Sequence, residues 1–203
     1  MNTKQKLRNF LFARENIYII LLFLSFYALR TQINNLMFFL FDLFFLNGDL
    51  QSTFTFNYKG DLVGCKEIFS IKGNPEKYNW LQRNGFSFVQ YTPSILAFLL
   101  LIKYKFKSRL WFWSLVVICC LSVLEAIIFA QMLLSGGLST SAEGSFLIYA
   151  ICITFISMGL YIFFKMMRIK EQLKVVLIAF PFFVLGFFLW YRWIGPKILP
   201  IVS

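Results

Sequence analysis

The chain has no histidine. That removes the side chain that most often serves as general base, proton relay and metal ligand. Acidic residues are scarce too: nine Asp and Glu stand against twenty Lys and Arg, for a net charge of +11. Charged residues of both signs make up only 14% of the sequence, against about 25% in a typical soluble domain. The four cysteines, Cys65, Cys119, Cys120 and Cys152, form no C-x-x-C pair. The adjacent Cys119 and Cys120 lie inside an apolar run, so the group reads as small buried hydrophobes and not as a redox couple. No glycine-rich phosphate loop, metal-ligating cluster, pair of carboxylates on one helix or internal repeat is present. The expectation is a non-enzymatic protein with no cofactor and no metal, and secondary transport fits poorly.

What the sequence has in quantity is apolar length. Over 203 residues it is 59% hydrophobic and 20% aromatic, with a mean hydropathy of +0.71. Runs of about 20 apolar residues recur, the length that a hydrocarbon core about 30 Å thick demands of a helix. A β-barrel would show short alternating segments instead. The class is therefore an all-α polytopic membrane protein with about five transmembrane helices. The candidate spans are Ile17 to about Phe38, Phe86–Ile102, Leu110–Leu134, Ser145–Phe164 and Val175–Trp193. The second opens on the polar "FSFVQYTPS", and without it four remain.

The basic flank "MNTKQKLRNF" precedes an apolar stretch with no small-residue cleavage site, so it reads as a retained first helix. Lys4, Lys6, Arg8 and Arg14 stand before that helix, and two further basic segments follow, "KYKFKSR" (103–109) and "KMMRIKEQLK" (165–174). The loop "SGGLSTSAEG" (135–144) has no Lys or Arg. By the positive-inside rule the N-terminus and both basic loops are cytoplasmic. Trp111, Trp113, Trp190, Tyr191 and Trp193 fit interfacial aromatic belts. Lys103, Lys105, Lys107, Arg109, Lys165, Arg168, Lys170 and Lys174 then face the cytoplasm. They serve as topology determinants and anionic-lipid contacts, or as a docking surface for a soluble effector. Because the charge is topogenic, no direct nucleic-acid contact is expected.

Three parts follow: residues 1–46, a cytoplasmic N-terminus with a long first helix; residues 47–85, a small extracytoplasmic α/β insertion; and residues 86–203, the remainder of the bundle. In the insertion, "TFTFNYKGDLVGC" alternates like a β-hairpin turning at Gly60-Asp61. "GNPEKYNWLQRNG" reads as a short helix capped by Asn74 and stopped at Asn84-Gly85.

The stretch "ALRTQINNLMFFLFDLFFLNG" (28–48) carries charge among phenylalanines. At helical periodicity Arg30, Thr31, Asn34, Asn35 and Asp42 share an arc of roughly 140°. A single long helix through Asp42 is the expectation. The alternative ends the span at Arg30 and makes residues 36–46 a separate piece. Glu125, in "LSVLEAIIFAQ", lies at about the same depth as Arg30, roughly 20 Å from the cytoplasmic end, so the two read as a pair. Ser122, Ala126 and Ala130 form a small-residue ridge beside it, and Ala150, Thr154 and Ser157 form another on the next span. Either Arg30 and Glu125 are a structural tie, or Arg30, Asn34, Asp42 and Glu125 line a conducting or sensing path.

The short basic N-terminus, "KYKFKSR", "KMMRIKEQLK" and a small outer domain on a Phe-rich bundle resemble the KwaA family, the membrane component of the Kiwa anti-phage defence system. The likeness is one of size and layout over the whole chain, and no functional residue is carried over from it. It implies an inner-membrane homo-oligomer that responds to phage at the cell surface and works with a cytoplasmic DNA-binding partner. The expected function is an oligomeric sensor or scaffold subunit that recruits a cytoplasmic effector. The alternative is a small oligomeric ion channel or pore-former.

Overall fold

The structure, a computed structural model, describes residues 13–47, 57–59, 80–104, 108–135 and 142–200. Every regular element among the described residues is helical. Of the hairpin expected over 53–65, only residues 57–59 are described, and there Tyr58 and Lys59 form a turn. The α/β insertion therefore has no strand among the described residues.

Helix α1 (Arg14–Leu24) and helix α2 (Phe26–Phe45) are bent by 53° at Ser25. This differs from both expectations. The chain breaks before Arg30, at a serine with ψ of 0°, and then runs as one helix through Asp42. Helix α2 ends where Asn47 takes a left-handed φ of 55°, a conformation that asparagine tolerates and that closes helices. Helix α3 (Trp80–Lys103) runs through Asn84-Gly85, where a stop was expected. A glycine inside a helix costs only about 1 kcal/mol, too little to halt one that leads into an apolar run. Helix α4 (Arg109–Leu134) follows, then α5 (Ala142–Tyr161), which continues as a π turn over Ile162–Met166. The last helical stretch, Ile169–Ile198, joins α6 (Ile169–Lys174), α7 (Phe180–Phe188) and α8 (Gly195–Ile198) through two π segments.

Three stretches are long and apolar enough to cross a membrane: Arg109–Leu134, Ile148–Met166 and Ile169–Ile198. The bent pair α1–α2 makes a fourth if it counts as one span. About five were expected, or four without the second span; of α3, the described stretch Val89–Lys103 is apolar and helical.

The chain divides into two compact units, Met1–Leu22 with Pro93–Phe180 and Phe23–Thr92 with Pro181–Ser203. In the first, α4 forms the core through Trp113, Val116, Val117, Cys119, Ser122 and Ala126, all buried. Helix α5 packs on it antiparallel. Cys152 Sγ stands 3.4 Å from the Ala126 carbonyl oxygen, and a Cβ added at Gly159 would lie 3.1 Å from a Val123 methyl. The buried face of α5 is thus Cys152, Phe155, Met158 and Ile162. Ala150, Thr154 and Ser157 are exposed on the other side, so they do not pack the helices within this chain as expected. The small groups at Cys152 and Gly159 provide the close approach instead.

In the second unit, Phe26, Tyr27, Phe183, Phe187 and Tyr191 form an aromatic cluster, with contacting ring centroids 4.9 to 5.6 Å apart. Gly186 of α7 sits against the backbone next to the Ser25 bend; a Cβ there would meet the Leu24 carbonyl oxygen at 2.5 Å. Backbone cannot yield as a valine side chain can. Gly186→Ala should therefore lower stability by about 1–3 kcal/mol, and Gly159→Ala by clearly less, in thermal unfolding of the detergent-solubilised protein. Equal losses would contradict this packing.

Candidate functional site

Acidic residues organise the basic end of the first unit. Glu15, in the first turn of α1, accepts the indole N–H of Trp113 on α4 at 2.9 Å, and its other oxygen lies 2.7 Å from Lys174 Nζ on α6. Three helices meet on one carboxylate. Glu171 makes a similar junction. Its Oε1 lies 2.7 Å from Arg109 at the start of α4, and its Oε2 accepts the backbone N–H of Arg168 at 2.8 Å. That second bond caps α6 at its N-terminus, where the first N–H groups lack helical partners. The Glu171 side chain is 7% exposed and that of Arg109 42%. Gln172 closes the turn by donating to the Phe163 carbonyl at 2.8 Å. Tyr18 and Ser114 share a 2.6 Å hydrogen bond that ties α1 to α4 one turn deeper.

Deeper still, Ser94 of α3 donates to the Ile118 carbonyl at 2.8 Å and pairs with Ser122 at 2.7 Å. Both are buried, as are Glu125 and Ala126 beyond them; Ala130 is half-buried. Cys119 and Cys152 are buried free thiols.

In the second unit, the polar arc of α2 faces inward: Thr31, Asn35 and Asp42 are buried, and Arg30 and Asn34 are half-buried. Asn35 donates to the backbone carbonyl of Asn57 at 3.0 Å. The next residue is held twice more. Tyr58 N–H donates to the Leu199 carbonyl at 3.1 Å, and the Trp190 indole donates to the Tyr58 carbonyl at 2.8 Å. Gly195 makes room, since a Cβ there would stand 2.7 Å from the Tyr58 Cβ. The 57–59 turn is thereby fastened to α2 and to the C-terminal helix.

The expected residues therefore fall in several places. Arg30, Asn34 and Asp42 belong to the second unit, and Glu125, Ser122, Ala126 and Ala130 to the first. Arg109 and Lys174 are held by Glu171 and Glu15, whereas Lys103, Lys165, Arg168 and Lys170 are exposed. Lys105 and Lys107 lie outside the described residues. Of the expected belt aromatics, Trp111 and Trp193 are exposed, but Trp113 and Trp190 turn inward as hydrogen-bond donors. A buried indole N–H requires such a partner. Glu15, Glu171, Ser94 and Asn57 carry much of this geometry and were not singled out from the sequence. Glu171 left a signal there, as the one acid in "KMMRIKEQLK", three residues after the N-cap. Among the described residues no group of His, Cys, Asp and Glu is placed to hold a metal ion. No protein-family model matches the chain, and no curated protein or solved structure matches it either.

Asn35→Ala would remove the side-chain donor to the buried Asn57 carbonyl, at a cost of about 1 kcal/mol. Tryptic cleavage after Lys59 should then accelerate several-fold in the folded protein. An unchanged rate would show that Asn35 does not hold the turn.

Proposed function

We propose that this chain is a non-enzymatic, oligomeric inner-membrane subunit with a cytoplasmic N-terminus, which holds a soluble effector at its basic end. The observation that carries this reading is the turn between α5 and α6. Lys165, Arg168 and Lys170 project there exposed, while Glu171, the acid among them, is buried and engaged with Arg109. The outward charge of this turn is wholly positive and its backbone is fixed from within, which suits an acidic protein surface.

The fastening of the 57–59 turn to α2 and the C-terminal helix supports a sensing role, since a load on the outer segment would act directly on both helices. The exposed stripe Ala150, Thr154 and Ser157 has the small-residue spacing that lets helices of neighbouring copies approach. The resemblance to the Kiwa membrane component leads to the same reading and would make the role one in anti-phage defence. The channel alternative is the weaker one. It needs the polar face of α2 turned to a lumen between copies, and Thr31, Asn35 and Asp42 of that face are already buried within the protomer.

The test is co-purification from gently solubilised membranes of the native host. Removing the charges of Lys165 and Lys170 together, as Lys165→Ser with Lys170→Ser, should cut recovery of the soluble partner at least about ten-fold, as two charge contacts of roughly 1 kcal/mol each allow. Membrane insertion and helical content should stay unchanged. Undiminished recovery would overturn docking at this turn.

A further inference from the structure

At the basic end of the first unit, a cleft of about 330 Å³ opens between the end of α3, the start of α4 and the turn into α6. Its lining is of two kinds. Leu101, Ile102, Phe112 and Met166 are apolar, while Arg109, Arg168 and Tyr104 bring charge and a hydroxyl. We infer that this cleft binds one anionic phospholipid, with the phosphodiester between Arg109 and Arg168 and an acyl chain leaving along α3.

Position, charge and shape agree on that occupant. The candidate span Arg109–Leu134 begins at the cleft and the span Ile148–Met166 ends there. The cleft therefore sits at the level where headgroups meet hydrocarbon, and the exposed Trp111 beside it has the aromatic character favoured at that level. Glu171 fixes both arginines, taking the Arg109 guanidinium with one oxygen and the Arg168 backbone N–H with the other. It offsets the charge of Arg109, and that guanidinium also lies 5.9 Å from the Phe112 ring centroid. Arg168 has no carboxylate partner among the described residues, and nor does Lys103, whose ammonium stands 5.3 Å from the ring centroid of the lining residue Tyr104. The cleft thus carries an uncompensated positive charge at Arg168 and a second at its edge. From Ile102 an exposed apolar row, Leu99 and Leu96, runs up α3 at helical spacing. A free anion would have no use for that row, whereas an acyl chain would cover it.

This inference does not rest on the effector reading, because Lys165 and Lys170 do not line the cleft. The test is native mass spectrometry of the purified full chain, given phosphatidylglycerol and phosphatidylcholine in equal amounts. Preferential retention of about one phosphatidylglycerol per chain is expected. Lys103→Gln and Arg168→Gln should each lower it about five-fold, and the matched pair Lys165→Gln and Lys170→Gln less than two-fold. All four side chains are exposed, so the fold is not at stake, and circular dichroism checks that. Equal retention of the two lipids, or equal loss in both pairs of variants, would overturn the assignment. Displacement of the lipid by excess inorganic phosphate would do so as well, since it would mark a plain anion site.

Discussion

The carboxylate of Glu171 lies where two parts of the chain distant in sequence must join. It takes the guanidinium that begins α4 and the backbone N–H that begins α6. Glu15 makes the companion junction between α1, α4 and α6. A chain with a net charge of +11 must otherwise bring cationic segments together at one end of its helices. Repulsion at such distances is only partly screened by salt, whose Debye length is about 8 Å under physiological conditions. Glu171 and Glu15 offset part of that charge from within the helix ends, and they leave the outward face positive. The exposed cations of the turn and the cleft between Arg109 and Arg168 both follow from that arrangement.

The same division between inward and outward polar groups runs through the rest of the molecule. Ser94 and Ser122 hold α3 to α4, and Asn35 and Trp190 hold the 57–59 turn. In a membrane, hydrophobic burial gives helices little reason to choose one another, so hydrogen bonds and close backbone approaches carry the selection. Gly159, Gly186 and Gly195 supply the close approaches. Polar residues in apolar helices need no catalytic purpose under these conditions.

How much of this was legible depended on contrast. The helical class showed because apolar runs of bilayer length have few other uses. The inward face of α2 showed because polar residues stand out in an apolar helix, so Thr31, Asn35 and Asp42 declared a side. In α4 and α5 almost every position is apolar, and the side that turns inward depends on local shape. The ridge Ala150, Thr154 and Ser157 competed there with Cys152 and Gly159, and the latter won because Val123 and the Ala126 carbonyl fit against them. Trp113 and Trp190 stand at helix ends, as belt residues do, and only the positions of Glu15 and Tyr58 reveal them as donors. Gly186, which meets the backbone beside the Ser25 bend, is more than 150 residues away in sequence.

A double-mutant cycle on Arg109 and Glu171 tests the central claim most directly, with Arg109→Gln, Glu171→Gln and the pair compared by unfolding of the solubilised protein. A charge-assisted hydrogen bond with one partner partly in solvent should give a coupling of about 1 kcal/mol. The double variant would then be clearly more stable than the two single losses added together. Strict additivity of the two losses would contradict the account, because the carboxylate would then not be what joins the two helices at the basic end.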